Sequence, residues 1–143
     1  MSIQAILYQK GENVETIAPD ASVKDAAASL KDQNIAALVV TKGDAILGIV
    51  SEREIVHALS RHGERIASMK VAEILVRDFA TVASEDSLKR AMILMTRHRT
   101  RHLPVLRSEK LVGIISIGDI VKHRLEDLEL KTNVFRGAYA AVH

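Results

Sequence analysis

The sequence predicts an α/β (α+β) fold made of two β-α-β-β-α repeats that pack on each other. Three observations predict it: an ungapped internal repeat, the same order of helical and strand periodicity in both copies, and a composition suited to a buried core. Residues 16–56 lie over residues 81–121 at a constant offset of 65. Identities fall at Thr16/Thr81, Ser22/Ser87, Lys24/Lys89, Ala26/Ala91, Leu38/Leu103, Val40/Val105, Gly48/Gly113, Ile49/Ile114, Ser51/Ser116, Ile55/Ile120 and Val56/Val121, with Glu54 facing Asp119. They concentrate at apolar and turn positions, as the duplication of a folding unit would leave them. The 143 residues, 48% hydrophobic and 27% charged, fit a globular chain rather than a disordered or fibrous one.

In each copy a short extended piece (residues 14–17 and 80–82) leads through a polar turn to Ser22 or Ser87, residues whose hydroxyl can cap a helix. A helix follows, because Val23, Ala26, Ala27 and Leu30, and then Leu88, Ala91, Met92 and Met95, recur at helical spacing. Met92 and Met95 therefore read as core. Two β-branched runs come next: residues 37–41 and 45–50 around a hairpin turn at Lys42, Gly43 and Asp44, and residues 102–106 and 110–115 around Ser108 and Glu109. Both copies close on a strand glycine, a serine and a new helix. At about 50 residues the unit is too small to cover both faces of its own sheet, so two units are expected to pack together. The chain divides into residues 1–70 (N-terminal segment, first repeat and a polar linker over 60–70), 71–125 (a short helical turn at 71–75 and the second repeat) and 126–143, a tail. Leu125, Leu128 and Phe135 suggest that the tail is helical.

Several classes of protein are excluded at this level. The longest aliphatic runs, residues 36–40 and 91–95, fall far short of the roughly 18 residues of a membrane span. The first ten residues lack the features of a secretory signal, so the cytoplasm is the expected compartment. No cysteine is present, which removes disulfides and thiolate metal sites. The net charge of +2 is unevenly spread: residues 1–70 hold 8 basic and 9 acidic side chains, residues 71–143 hold 12 and 9. Much of the excess lies in Arg97, Arg99, Arg101 and Arg107, interleaved with His98 and His102. The two histidines share no helical face and no carboxylate completes a set, so no metal site is expected.

The chemistry of the repeated ending can be read in two ways. Ser51 and Ser116 stand where a strand turns into a helix, so their hydroxyls and the amides that follow could meet a phosphate, while Glu54 or Asp119 in the first turn could accept from two ribose hydroxyls. The same Ser-x-x-acid spacing is also a capping box, which serves only the helix. Arginines of the basic cluster could hold a phosphate through paired bonds, or Arg97 and Arg99 could simply be solvated at a helix end. The spacing alone leaves both open.

Two copies ending in Gly48-Ile49-Val50-Ser51-Glu52-Arg53-Glu54-Ile55 and Gly113-Ile114-Ile115-Ser116-Ile117-Gly118-Asp119-Ile120, with His102-Leu103-Pro104-Val105 opening a strand, resemble the CBS domain pair named after cystathionine β-synthase. The run from Met95 to Val105 is similar to the small stand-alone bacterial members. The resemblance implies two CBS repeats packed sheet to sheet with pseudo-two-fold symmetry, and two clefts for adenosine ligands: AMP, ADP, ATP, S-adenosylmethionine or NAD(H). It also implies a homodimer. Carried over residue by residue, one cleft would take Ser116, Ile117 and Asp119 with Thr16, Ala18, Ile35 and Ala36 from the first repeat. The other would take Ser51, Arg53 and Glu54 with Thr81, Arg101 and His102 from the second. The family prefers Asp at the ribose position, and the extra methylene of Glu54 sets its carboxylate one bond further out, so the Asp119 cleft is the stronger expectation.

No oriented nucleophile, P-loop or acid and base pair in one pocket is legible, so no enzyme and no catalytic cofactor are expected. The expected function is a regulatory module that senses AMP, ATP or NAD(H) and passes the signal to an effector protein. Two alternatives are nucleic-acid binding through Arg97 to His102, weakened by the lack of interleaved aromatics, and a dimerisation module without ligand. With four aromatic residues in the chain, adenine is expected to rest on aliphatic side chains and backbone.

Overall fold

The computed structural model describes residues 2–142, and the side-chain surroundings of residues 2–132. Its elements are α1 (Ile3–Lys10), β1 (Thr16–Ile17), α2 (Val23–Gln33), β2 (Ala37–Lys42), β3 (Ala45–Ser51), α3 (Glu52–His62), β4 (Val82–Ala83), α4 (Leu88–His98), β5 (His102–Arg107), β6 (Lys110–Ser116) and α5 (Ile117–Val142). The two repeats form separate three-stranded sheets of identical plan, β1-β2-β3 and β4-β5-β6, with the first pair parallel and the second antiparallel. The serine caps form as expected: Asp25 N–H donates to Ser22 Oγ and Arg90 N–H to Ser87 Oγ, both at 3.0 Å. Each such cap contributes about 1 kcal/mol to its helix. Both hairpins have two-residue loops, Gly43-Asp44 and Ser108-Glu109. Ser108 and Glu109 both adopt positive φ, the geometry that matches strand twist.

Each sheet has its own apolar core, and each core is completed by a segment that precedes the other repeat. Leu38, Val40 and Val50 meet Ala26 and Leu30 of α2 together with Val71 and Leu75. Leu103, Val105 and Ile115 meet Ala91 and Met95 of α4 together with Ile3, Ile6 and Leu7 of α1. The exchange is fixed by backbone bonds: Val76 and Ile49 exchange N–H···O bonds of 3.1 and 2.8 Å, while Ile3 and Gln4 N–H donate to the carbonyls of Asp86 and Ser84. The strand glycines mark the closest approach. A Cβ on Gly48 would lie 2.2 Å from the Val76 carbonyl oxygen, and one on Gly113 would lie 2.7 Å from a Leu7 methyl. Val39 is fully buried although its neighbours Leu38 and Val40 point to the helices. Both faces of the central strand are therefore covered, as sheet-to-sheet packing requires.

Three differences from the sequence reading have simple causes. Helix α1 was not expected, because its apolar partners lie some eighty residues or more away in the second repeat. The linker is more ordered than its polarity suggests: α3 runs to His62, a 3-10 turn spans Gly63–Ser68, and Met69 is buried. After Ser116 the chain is one continuous helix, so no break in structure separates residues 117–125 from the tail. The side chain of Phe135 lies outside the described residues.

Candidate functional site

The two serines sit at equivalent ends of their sheets, Ser51 opposite Ala37 and Ser116 opposite His102. Pairing runs one residue into each helix: Glu52 N–H donates to the Ala36 carbonyl (3.2 Å) and Ile117 N–H to the Arg101 carbonyl (2.9 Å). The first amide after each serine is therefore not free for a phosphate, which corrects that part of the sequence reading. Both Ser-x-x-acid motifs also form capping bonds. In the second repeat the box is reciprocal, with Ser116 N–H donating to Asp119 Oδ2 (2.9 Å) and Asp119 N–H to Ser116 Oγ (3.0 Å). In the first, Ser51 N–H and its hydroxyl both donate to Glu54 Oε1, at 2.8 and 2.5 Å. The longer glutamate arm folds back over the serine, and its Oε2 makes no hydrogen bond within the described residues.

A cavity of about 890 Å³ opens beside Glu54, between the two repeats. Sites for small molecules commonly measure about 300–1,000 Å³. Ser51, Arg53, Glu54, Arg101 and His102, all expected at this cleft, line it; Thr81 does not. Apolar wall is supplied by Ala36, Ile49, Ile74 and Val76, and by Phe79. Phe79 thus places an aromatic ring beside the aliphatic groups on which adenine was expected to rest. Helix α3 adds His57 and Arg61, which follow Arg53 at four-residue intervals and so share its face. That spacing was readable in the sequence, where only Arg53 drew notice.

The basic cluster divides. His98, Arg99, Thr100, Arg101 and His102 line the cavity, and Arg97 does not. Arg99 closes α4 in the left-handed conformation (φ 50°), which its repeat partner Asn34 also adopts (φ 54°). Arg107 is drawn to the other end of its strand, where it pairs with Glu12 at 2.6 Å and meets Gln4. Its guanidinium lowers the carboxyl pKa of Glu12 through a hydrogen bond.

The Asp119 side is arranged differently. Lys10, the last residue of α1, donates from Nζ to Asp119 Oδ2 at 2.7 Å and to the Ile114 carbonyl at 2.8 Å. Burial opposes ionisation of Asp119, but the bond from Lys10 and those from Ser116 outweigh it and hold the pKa below its ordinary value. Of the residues expected to join Asp119 from the first repeat, Ala36 lines the Glu54 cavity instead. Thr16 pairs with Val39 in the sheet, Ile35 packs on the first core and Ala18 is exposed. Ile117 is exposed on α5. His102 stands within electrostatic reach of both acids. Burial lowers its pKa first, then the nearby Lys10 charge, against the opposing pull of Asp119 and Glu54. Lys10 itself was missed by sequence reasoning, since nothing local ties it to a carboxylate 109 positions away.

Comparison with known proteins agrees with this architecture. The family model for the CBS domain matches residues 11–61 and 71–126. The mitochondrial CBS domain-containing protein CBSX3 of Arabidopsis thaliana is 33% identical over 152 residues, covering 96% of this chain and 73% of that protein. Among solved structures, the CBS-domain containing protein ATU1752 of Agrobacterium tumefaciens superposes with a TM-score of 0.83 and 35% identity, over 87% of this chain and 99% of that one. A hexameric CBS-CP12 protein from bloom-forming cyanobacteria superposes with a TM-score of 0.74 and 31% identity, over 85% of this chain and 69% of that one.

Proposed function

This chain belongs to the CBS-domain family, and we propose that it is a non-catalytic sensor of an adenosine nucleotide, bound in the cavity beside Glu54. Stand-alone CBS pairs are generally regulatory and ligand-binding rather than catalytic. The observation that carries the reading is the cavity itself, which draws an acid and a strand-end serine from one repeat and two adjacent basic residues, Arg101 and His102, from the other. In it Glu54 would accept from the ribose hydroxyls through Oε2. Arg101 and Arg53 would hold phosphate by paired, charge-assisted bonds, and the purine would rest among Ala36, Ile49, Ile74 and Phe79. The ligand class is AMP, ATP or NAD(H).

Two equivalent helices, α3 and α5, leave apolar side chains in solvent, among them Val56 and Leu59 on one and Val121, Leu125 and Leu128 on the other. Apolar stripes of this kind on a small chain are suited to association. It supports a homodimer through these helices, whose surface would carry the signal to an effector protein. No helix among the described residues is long and apolar enough to cross a membrane, and the proposed compartment is the cytoplasm.

Thermal unfolding with AMP, ATP and NADH added separately tests the binding. A ligand at roughly a hundred times its Kd stabilises the native state by about 2.7 kcal/mol, so Tm should rise by several degrees with at least one of the three. An unchanged Tm with all of them overturns the reading.

A further inference from the structure

We infer that Lys10 is a built-in occupant of the Asp119 ribose position and limits each chain to one bound nucleotide, the one beside Glu54. The inference rests on the nucleotide-sensing reading and adds its stoichiometry and the residue that sets it.

Both repeats present a carboxylate at the same turn, Glu54 and Asp119, yet their surroundings differ by a charge reversal. The exchanged segment that packs on the second repeat places Leu7 against Gly113, and three residues later it ends in Lys10. The exchanged segment that packs on the first repeat places Leu75 against Gly48, and three residues later stands Asp78. Lys10 reaches Asp119 at 2.7 Å. Asp78 lines the Glu54 cavity and lies 3.9 Å from His98. Among the described residues Glu54 has no cation within ion-pair distance. One architecture therefore delivers an ammonium to one cleft and a carboxylate to the other.

The consequence follows from what a ribose needs. Vicinal hydroxyls bind a carboxylate as neutral donors, so they compete poorly where an ammonium already stands on the group. At Asp119 the Oδ2 atom already accepts from Lys10 and from the Ser116 amide, so an ammonium stands on the carboxylate and only Oδ1 has no hydrogen bond among the described residues. The ammonium is a charged donor, stronger than a hydroxyl on the same oxygen. It is held at a second point by the Ile114 carbonyl, so it does not swing away without giving up two bonds. At Glu54 one oxygen, Oε2, is likewise without a hydrogen bond, but no cation stands on the carboxylate, and the residue lines a cavity of about 890 Å³.

Titration calorimetry of the purified full chain with ATP, AMP and NADH reads the outcome directly. The wild-type protein should bind one equivalent per chain of whichever ligand binds. Lys10→Met, which keeps an unbranched side chain one atom shorter and removes its charge, should bind two. Lys10→Arg, which keeps the cation, should stay at one. Lys10→Gln serves as a second neutral variant if Lys10→Met fails to fold by circular dichroism, and it too should bind two. Two equivalents on the wild-type chain, or one on the neutral variants, would overturn the role of Lys10 while leaving nucleotide sensing intact. No heat from any of the three ligands would instead overturn the sensing reading, and this inference with it.

Discussion

His102 and Asp119 give the clearest consequence at the scale of single residues, because both titrate at lower pH in the fold than free in solution. For His102, whose ordinary value is 6.5, burial and the Lys10 charge disfavour the protonated ring. Below that pH the unfolded chain takes up a proton that the folded one resists, so stability falls as pH drops. For Asp119, whose ordinary value is 3.8, the stabilising pairing is complete above that pH and is lost as pH falls through the lower folded value. The urea midpoint should therefore drop between pH 7 and pH 5 mainly through His102, and further below pH 4 through Asp119. His102→Asn should flatten the first part of that curve. A midpoint that is level from pH 7 to pH 5, or that ignores the substitution, would contradict this account. At this scale the site was partly legible. Ser51, Arg53, Glu54, Arg101 and His102 could be grouped from the repeat and the family pattern. Which acid carries a cation could not, since that depends on Lys10, brought in from the far end of the chain.

At the scale of elements, the exchange of segments between repeats decides which substitutions the fold can bear. Gly48→Ala would place a methyl 2.2 Å from a backbone oxygen that is pinned by the paired bonds between Val76 and Ile49. Gly113→Ala would meet only the end of the Leu7 side chain, which can turn aside. Overpacking costs about 1–3 kcal/mol when neighbours adjust and more when they do not. Gly48→Ala should lie at or above the top of that range in urea unfolding and Gly113→Ala near the bottom; equal losses would show that the two crossings are not built as described. The helices and hairpins of both repeats were legible because each carries its own periodicity and turn residues. Helix α1 was not, because Ile3, Ile6 and Leu7 mean little until the second repeat is there to receive them.

At the scale of the whole molecule, the duplication was plain in the sequence, while its crosswise completion was not: each repeat is finished by residues that belong in order to the other. Neither half buries a complete core alone, so the pair should unfold in one cooperative step. The exposed stripe on α5, with Val121, Leu125 and Leu128 each half or more accessible, is the proposed dimer face. Sedimentation should show the wild-type protein at twice the chain mass and Leu125→Glu at the chain mass. A wild-type monomer at high concentration would remove the dimer and leave the cleft untouched. The central claim is narrower still: a nucleotide occupies the space between the repeats beside Glu54. A crystal structure of the chain grown with the nucleotide that raises Tm tests it most directly. The account predicts density with the ribose at hydrogen-bond distance from Glu54 and phosphate against Arg101, and Lys10 still on Asp119. Density at Asp119 with the Glu54 cavity vacant would contradict it.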